Sequence, residues 1–271
     1  MSRNFRVTEH PSFDVLAATT AARLITRLLD VQSERGEATV VLTGGSVGIA
    51  TLREIGQSPA HLAVDWSKVN FWFGDDRFVE TDSPDRNYGQ AAEALLNQIP
   101  VDPARVHIMP ASDTVADLDE AVSQYAAELA AAAQAEWHND ESREAEAAEV
   151  APVVPRFDVL LLGLGPDAHI ASLFPDMAGI RTKGVSVVGV RNSPKPPPTR
   201  VSLTLETINS AQEIWIVAAG ADKAAAVGLG LAGANAVQVP ASGARGMQKT
   251  LWLLDQAAAA KVPGVLTHRN S

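Results

Sequence analysis

The sequence predicts a single-domain α/β protein whose mostly parallel, Rossmann-like sheet is covered by helices on both faces. Three observations support this fold class. The chain has 271 residues, which suits one large α/β domain or two small ones. Its predicted strands are short and mostly apolar, as expected for strands that are buried on both faces. These strands alternate with segments of helical periodicity, the order typical of a parallel sheet with crossover helices.

The amino-terminal third contains the longest predicted helix and the first two strands. Apolar residues recur at helical spacing over about 13–34, and Gly36 provides a stop for this helix. A buried strand is predicted at 38–43, followed by a helix to about Ile55. The second strand is predicted at 69–73.

The alternation continues through the rest of the chain. Further strands are predicted at 157–162 and 214–218, and helices at about 87–97, 118–136 and 221–231. Residues 126–150 are rich in Ala and Glu, and we interpret them as a helix end and an acidic connector within the domain. We see no repeat and no linker, so residues 1–271 are expected to form one domain. Ligands of such sheets bind at the carboxyl ends of the strands, which makes the residues after each strand the candidates for a site.

The composition excludes several classes of function. The chain has 22 Lys and Arg against 32 Asp and Glu, and its net charge of −10 makes general nucleic-acid binding unfavourable. It has no cysteine, which excludes disulfides, thiolate metal sites and cysteine nucleophiles. We find no signal peptide and no membrane-spanning run, so a cytoplasmic protein that does not bind membranes is expected. Nothing marks a subunit interface, and a monomer is expected.

The histidines give no indication of a metal site. They form no HExxH or similar ligand spacing, so we expect neither a metal nor another cofactor. Only His169 lies near the end of a predicted strand. The others lie in terminal or loop-like contexts: His10, His61, His107, His138 and His268.

The first candidate site segment follows strand 38–43. Gly44 and Gly45 allow the backbone to approach a ligand closely, and the helix beginning near Ser46 directs free N–H groups to the same place. The segment could therefore bind a phosphate or an oxyanion, although a Gly-Gly turn can also serve packing alone. It is neither a dinucleotide fingerprint nor a P-loop.

Charged residues follow the next two strands. Asp75, Asp76 and Arg77 come after strand 69–73, where buried charges are costly unless paired; a solvated surface turn with a local ion pair is the alternative. Asp167 and His169 come after strand 157–162 on a glycine-rich turn. Histidine is suited to proton transfer near neutral pH, although His169 could instead cap a helix.

Two more cations could complete a phosphate site. Arg200 follows the proline-rich segment 193–198, and Lys223 lies at a helix start after strand 214–218. Each could be an ordinary surface charge. Together with the Gly-Gly turn they could hold a phosphate by charge-assisted hydrogen bonds.

Four blocks of the chain, in order, resemble the glucosamine-6-phosphate isomerase/6-phosphogluconolactonase family. Residues 43–46 resemble its first phosphate loop, and residues 72–79 its W-G-D-E-R-x-V block, with 87–88 matching the following S-N-Y. Residues 162–175 resemble G-M-G-x-D-G-H-x-A-S-L-F-P, and residues 193–204 resemble S-P-K-P-P-x-R-I-T-L-T. The resemblance covers nearly the whole chain. It implies hydrolysis of 6-phosphogluconolactone in the oxidative pentose phosphate pathway.

The chain departs from the family pattern at a few positions. Ala168 stands where the family usually has Gly, and alanine would cost roughly 1 kcal/mol there if the position needs a positive φ. Asp76 replaces the usual Glu, Glu80 a usual Pro, and residues 47–48 the usual Thr-Pro. None of these changes removes a candidate for proton transfer or phosphate binding, and Ala168 bears most on activity.

The resemblance includes deaminating isomerases, which carry a Glu in D-G-H-I-A-F-N-E-P. Phe174 stands at the position of that Glu. An isomerase needs groups that open the sugar ring and move a proton between carbons, whereas a lactonase needs one base for water and stabilisation of the acyl oxygen. The missing carboxylate therefore favours the lactonase.

The resemblance suggests a role for each candidate residue. His169 would act as general base for water, and Asp167 or Asp75 would orient it; spacing alone leaves that choice open. Backbone N–H groups near Gly44 and Gly45 would bind the phosphate or the developing oxyanion. The remaining phosphate candidates are Ser46, Arg77, Arg200 and Lys223.

Three other functions are alternatives to lactone hydrolysis. The first is a glucosamine-6-phosphate deaminase/isomerase. The second is a non-catalytic sugar-phosphate-binding module, which usually carries an attached DNA-binding segment; the early start of the first helix leaves little room for one. A nicotinamide-dependent enzyme is disfavoured because the glycine fingerprint is absent.

Overall fold

The computed structural model describes residues 5–139 and 153–263, and its core is a six-stranded parallel sheet between two layers of helices. The strands of the described residues are β1 Phe5–His10, β2 Ala38–Leu42, β3 Val69–Phe73, β4 Asp75–Arg77, β5 Val159–Gly163, β6 Val187–Val190, β7 Arg200–Leu203, β8 Glu213–Ala218 and β9 Lys249–Asp255. The α-helices are α1 Phe13–Arg35, α2 Gly45–Gln57, α3 Asn87–Ala94, α4 Leu118–Asn139, α5 Ala178–Arg181, α6 Leu205–Asn209 and α7 Ala224–Ala232. Short 3-10 helices lie at Pro59–Ala63, Trp66–Lys68, Leu96–Gln98, Pro103–Arg105, Ala221–Lys223, Pro240–Gly243 and Ala258–Lys261.

The large sheet has the strand order β1-β9-β8-β5-β2-β3, with all neighbouring strands parallel. Successive side chains of each strand point to opposite faces, so each strand contributes to two separate cores. Val40 and Leu42 of β2 pack in the core with α1, α2 and α3, whereas Val41 packs in the core with α4 and α7. The fold class predicted from the sequence is confirmed.

Local signals explain where the longest amino-terminal helix starts and stops. The side chain of Ser12 accepts a hydrogen bond from the Val15 N–H at 3.3 Å, which caps α1. Gly36 ends α1 in the left-handed conformation, with φ 82°. Between the caps, apolar residues at helical spacing, among them Leu24 and Leu28, are buried against the sheet.

A second sheet was not predicted from the sequence. Strands β4, β7 and β6 form a small antiparallel sheet in that order, and Gly74 alone separates β4 from the end of β3. Strand β4 has only three residues, two of them carboxylates, so its sequence lacks the apolar pattern of a strand. It forms because β7, more than a hundred residues away, supplies its hydrogen-bonding partner.

Other differences from the prediction are local. Strands β1 and β9 were not predicted, and His10, which we placed in a terminal context, is the buried last residue of β1. The helix expected over 87–97 ends at Ala94 and is followed by a 3-10 turn. Helix α4 occupies 118–139, so it includes the first part of the expected connector; residues 140–150 lie outside the described residues. The boundaries of a single domain over 1–271 stay a prediction.

Candidate active site

The candidate site lies where the direction of the sheet's connections reverses. From β2 the chain continues outward to β3, but the next strand of the large sheet, β5, lies on the other side of β2. Crevices for ligands form at such switch points, outside the carboxyl ends of the strands. The hydroxyl of Thr43, after β2, accepts a hydrogen bond from the Gly163 N–H at the end of β5 at 3.2 Å. This bond holds the two loops of interest, 43–46 and 163–169, side by side.

The loop after β2 presents a helix amino terminus. Helix α2 begins at Gly45, with Gly44 as its N-cap, and no side chain caps it. Gly45 has a φ of 82°, and both Gly45 and Ser46 are exposed. The first N–H groups of a helix have no partners within the helix and carry its positive partial charge, so this end is suited to an anion.

The loop after β5 brings Asp167 and His169 into direct contact. Nδ1 of His169 lies 2.5 Å from Oδ1 of Asp167. Gly165 lies directly against this pair, and a Cβ on Gly165 would overlap both side chains. Ala168, between the two residues, has a φ of 67°, so the turn does require the left-handed conformation that favours glycine.

The charge on Asp167 determines which nitrogen of His169 carries the proton. Burial opposes ionisation of Asp167, but the hydrogen bond from His169 and the positive charges of His169 and Lys195 outweigh it and lower its pKa to about 2. At neutral pH the carboxylate is therefore ionised and can only accept hydrogen bonds. Nδ1 of a neutral His169 must then be the protonated nitrogen, which leaves Nε2 free to accept a proton.

Phe174 forms one wall of this pair. Its ring centroid lies 4.5 Å from that of His169, and the guanidinium carbon of Arg200 lies 5.7 Å from the Phe174 centroid. Phe174 is buried. The imidazole thus packs against an apolar ring at the position where the deaminating isomerases carry a carboxylate.

Two predicted phosphate ligands lie opposite each other in the small sheet. Arg77 of β4 pairs with Arg200 of β7. Arg77 donates from Nη1 to the carbonyl of Asp85 at 2.5 Å, while its buried Nε has no partner within the described residues. Burial lowers the pKa of Arg200; the nearby Asp75 opposes this effect and Arg77 adds to it. Two guanidinium groups so close repel each other, which an anion bound beside them would relieve.

Arg200 also holds the proline-rich loop, residues 193–198, in place. It is buried and donates to the carbonyls of Lys195, Pro196 and Pro197 at 3.0–3.1 Å. These bonds hold the loop that carries Lys195, whose Nζ lies 3.7 Å from Oδ1 of Asp167. Arg200 therefore organises a second cation of the site, in addition to any contact it makes with a ligand.

The lysine predicted after β8 is present at the same edge of the sheet. Nζ of Lys223 lies 3.0 Å from the carboxylate of Asp222. Hydrogen bonding to Lys223 lowers the pKa of Asp222, and the charges of Lys223 and of Lys195 lower it further. The charges of Lys195 and Lys223 therefore both act on Asp222, which the sequence spacing did not indicate.

Asp75 and Asp76 are both buried, so the alternative of a solvated surface turn does not apply. Asp75 does not contact His169: it binds Ser172 and Asn87. Burial raises the pKa of Asp76, while the charge of Arg86, 3.2 Å away, lowers it. Between the two carboxylates that the sequence left open, the structure thus brings Asp167 and not Asp75 to the imidazole.

Comparison with known proteins agrees with this geometry. The family model for glucosamine-6-phosphate isomerases/6-phosphogluconolactonase matches residues 11–252. The chain belongs to this family. It is 49% identical over 265 residues to 6-phosphogluconolactonase of Streptomyces coelicolor, with 97% of each chain covered. It is 43% identical over 257 residues to 6-phosphogluconolactonase of Mycobacterium tuberculosis, with 93% of this chain and 96% of the relative covered.

Solved structures of the family agree with the fold. A structure of 6-phosphogluconolactonase from Trypanosoma brucei is 29% identical, with a TM-score of 0.78 over 97% of this chain and 100% of that one. A monomeric glucosamine-6-phosphate deaminase has a TM-score of 0.73, with 95% of this chain and 100% of that chain covered, but is only 18% identical, so it supports the fold alone. The resemblance seen in the sequence motifs is thereby confirmed.

Three residues of the candidate site were not predicted from the sequence. They are Lys195, Asn87 and Ser172. Each is a polar residue inside a family motif, which was the available signal. Within residues 5–139 and 153–263, no group of three or more acidic or histidine side chains could hold a metal ion. No helix of these residues is long and apolar enough to cross a membrane.

Proposed function

We propose that this protein hydrolyses 6-phospho-D-glucono-1,5-lactone to 6-phosphogluconate, the reaction of the oxidative pentose phosphate pathway. The observation that carries the proposal is the pair His169–Asp167 beside a glycine-rich helix amino terminus, in a chain 49% identical to a 6-phosphogluconolactonase. The prediction of a lactone-hydrolysing enzyme agrees with the names of the relatives. The roles of individual residues are our proposal.

In this mechanism Nε2 of His169 is the general base. Water attacks the lactone carbonyl carbon while Nε2 takes its proton, and the carbonyl oxygen becomes an oxyanion. As the carbonyl re-forms, the ring C–O bond breaks and the imidazolium returns its proton to the departing oxygen, which becomes the hydroxyl group. Asp167 keeps Nδ1 protonated and stabilises the imidazolium. Such general-base assistance contributes roughly 10²–10⁴-fold to the rate.

The phosphate of the substrate and the oxyanion that forms during the reaction both have matching groups around this pair. We assign the phosphate, or else the oxyanion, to the N–H groups near Gly44 and Gly45 and to Ser46, since an uncapped helix start favours an anion. Arg77, Arg200 and Lys223 add positive charge for the phosphate. Lys195 would keep Asp167 ionised.

The packing around His169 favours lactone hydrolysis over deamination. Phe174 places an apolar ring against the imidazole where the isomerases have a carboxylate. No second carboxylate is then available from this position to move a proton between sugar carbons. A cytoplasmic location and a monomeric state stay predictions from the sequence.

The test is hydrolysis of freshly generated lactone, followed against its spontaneous rate. We expect the wild type to accelerate it and His169→Ala to lose about 10²–10⁴-fold in kcat with little change in KM. The matched control is His107→Ala, because Nδ1 of His107 lies 2.6 Å from Glu128 in a similar histidine–carboxylate pair, and the ring stacks on Trp72, to which no role in the reaction is assigned. His107→Ala should keep its activity per folded molecule.

Two results would contradict the proposal. A folded wild type that does not exceed the spontaneous rate would exclude lactonase activity, and ammonia release from glucosamine 6-phosphate would then be measured. Full activity in His169→Ala would leave the reaction in place but remove the general base assigned here.

A further inference from the structure

The carboxylate of Asp75 lies buried between the segments that form the site. Its Oδ2 accepts a hydrogen bond from the Ser172 hydroxyl at 2.6 Å. Its Oδ1 lies 3.3 Å from Nδ2 of Asn87, which also donates to the Asp75 carbonyl at 2.8 Å. Asp75 is 6% exposed, so these bonds replace the hydration that its carboxyl group loses on burial. One carboxylate thus joins residues that are far apart in the chain.

The hydrogen bond between Asp75 and Ser172 holds the loop that carries His169. Ser172 follows His169 by three residues and is fully buried. Its N–H donates to the hydroxyl of Ser202 at 3.2 Å, and Ser202 lies directly opposite Asp75 in the small sheet. The loop is therefore held at Ser172 by both β4 and β7. Any movement of this anchor would be passed to the imidazole three residues away.

The bond to Asn87 supports the glycine loop. Asn87 is the first residue of α3 and is buried, and its Oδ1 accepts no hydrogen bond from the described residues. This oxygen lies against Gly44, where a Cβ would overlap the amide. The Asn87 side chain therefore sets how closely the loop can approach, and only glycine fits at position 44.

We infer that Asp75 is a positioning residue that holds the loop of His169, through Ser172, and the anion-binding loop at Gly44, through Asn87, in one fixed arrangement. Asp75 does not touch the imidazole, and its oxygens are engaged by Ser172 and Asn87. This inference rests on the proposed function, which assigns one loop to the general base and the other to the bound anion. The contacts of Asp75 with Ser172 and with Asn87 are its two arms. Because they serve different loops, we expect that they can be disrupted separately.

Ser172→Ala and Asn87→Ala test the two arms. We expect Ser172→Ala to lower kcat for lactone hydrolysis about 10-fold with KM nearly unchanged, since small displacements of a reacting group are costly. We expect Asn87→Ala to raise KM about 10-fold and to reduce kcat less, because it loosens the anion loop.

Two variants at the opposite edge of the sheet serve as controls. Ser210 donates to the carbonyl of Thr207 at 2.7 Å, so Ser210→Ala removes a similar hydroxyl bond. Asn209 bonds two backbone groups, of Gly243 and Arg245, at 3.0 and 2.8 Å, so Asn209→Ala removes a similar amide. Both controls should lower Tm while kcat and KM stay the same. Equal effects of site and control variants on the kinetics would overturn the inference.

Two measurements without turnover separate this inference from the proposed function. Calorimetric titration with 6-phosphogluconate and with inorganic phosphate should show weaker binding to Asn87→Ala and unchanged binding to Ser172→Ala. The NMR chemical shifts of the His169 ring at a fixed pH should change in Ser172→Ala and stay the same in Asn87→Ala. If the wild type fails to hydrolyse the lactone, the proposed function is wrong, but the different responses of the two variants in these measurements still decide the role of Asp75. If Ser172→Ala and Asn87→Ala respond alike, Asp75 does not have that role, even in an active enzyme.

Discussion

The six-stranded sheet has an amino-terminal edge and a carboxyl edge, formed by the two ends of its parallel strands, and buried charges are arranged differently at each. At the amino-terminal edge, Asp158 is paired with Arg35 at 2.7 Å and Arg156 at 3.3 Å and also accepts from the Thr39 N–H. Glu213 at the same edge has a similar set, formed by Arg27, Lys249 and Trp215. These carboxylates are satisfied entirely by the protein.

At the carboxyl edge the charged groups retain capacity for a ligand. The buried Nε of Arg77 has no partner within the described residues, Arg77 faces a second arginine, and helix α2 begins there without a side-chain cap. The buried Oδ1 of Asn87 likewise has no partner within the described residues, and a substrate can complete groups of this kind. Charge at the amino-terminal edge is thus matched within the protein, whereas part of the charge at the carboxyl edge is left for a ligand, beside internally paired groups such as Asp76 and Arg86.

The largest effect is expected from Asp167→Asn. The amide cannot fix the same tautomer of His169 or stabilise its imidazolium, so kcat should fall roughly 10²–10⁴-fold. Asp167 is partly exposed and solvent screens its ion pairs, so the free energy of unfolding should change by less than about 1 kcal/mol. Lactone kinetics and urea denaturation measure the two quantities. A large loss of stability with normal kcat would place Asp167 with the structural carboxylates.

The pH dependence of the same pair sharpens this prediction. The folded pKa of Asp167 is lowered to about 2, so its contribution to stability is present above pH about 4 and is lost as the pH falls through about 2. Asp167 therefore stays ionised over the working range. In Asp167→Asn the part of the acid-induced loss of stability that comes from this carboxylate, between about pH 4 and 2, should be absent. Urea denaturation of the wild type and of Asp167→Asn at several pH values measures the difference, and parallel stability curves would show that Asp167 contributes no pH-dependent stability.

The matching prediction for the amino-terminal edge is Asp158→Asn. It leaves Arg35 and Arg156 without their buried anion, and the free energy of unfolding should fall by about 3 kcal/mol. Activity per folded molecule should stay the same, because Asp158 lies at the opposite end of the strands. Asp119→Asn is the control, since Asp119 and Arg191 form an exposed pair worth less than about 1 kcal/mol. A reduced kcat in Asp158→Asn would show that the two edges are coupled.

These contrasts follow what the sequence could and could not predict. Buried strands such as β2 and β8 were predictable because local apolar runs report burial, and the residues after them were found by the rule that ligands bind at strand ends. The candidate pair Asp167 and His169 lies within three residues, so spacing alone nearly described it.

Partners distant in the chain were not predictable. The small sheet depends on pairing between β4 and β7, and no local pattern in Asp75–Arg77 indicates a strand. The bond from Ser172 to Asp75 joins residues 97 positions apart. Lys195 lies 3.7 Å from Asp167 on a loop whose carbonyls accept hydrogen bonds from Arg200. The sequence could therefore name Asp75 as a site residue while leaving open what it binds.

The smallest effect is expected at Ala168, the departure from the family's glycine. Ala168→Gly relieves a left-handed alanine, worth about 1 kcal/mol, but it also frees the unfolded chain and removes a buried methyl group, each costing a similar amount. The free energy of unfolding should therefore change by less than about 1 kcal/mol, and kcat by less than about twofold, because the methyl group takes no part in the bond between Asp167 and His169. Asn192→Gly is the control, since Asn192 is exposed and also left-handed, with φ 57°. A tenfold rise of kcat in Ala168→Gly but not in the control would contradict this expectation. It would show that Ala168 keeps Asp167 and His169 from their most active geometry.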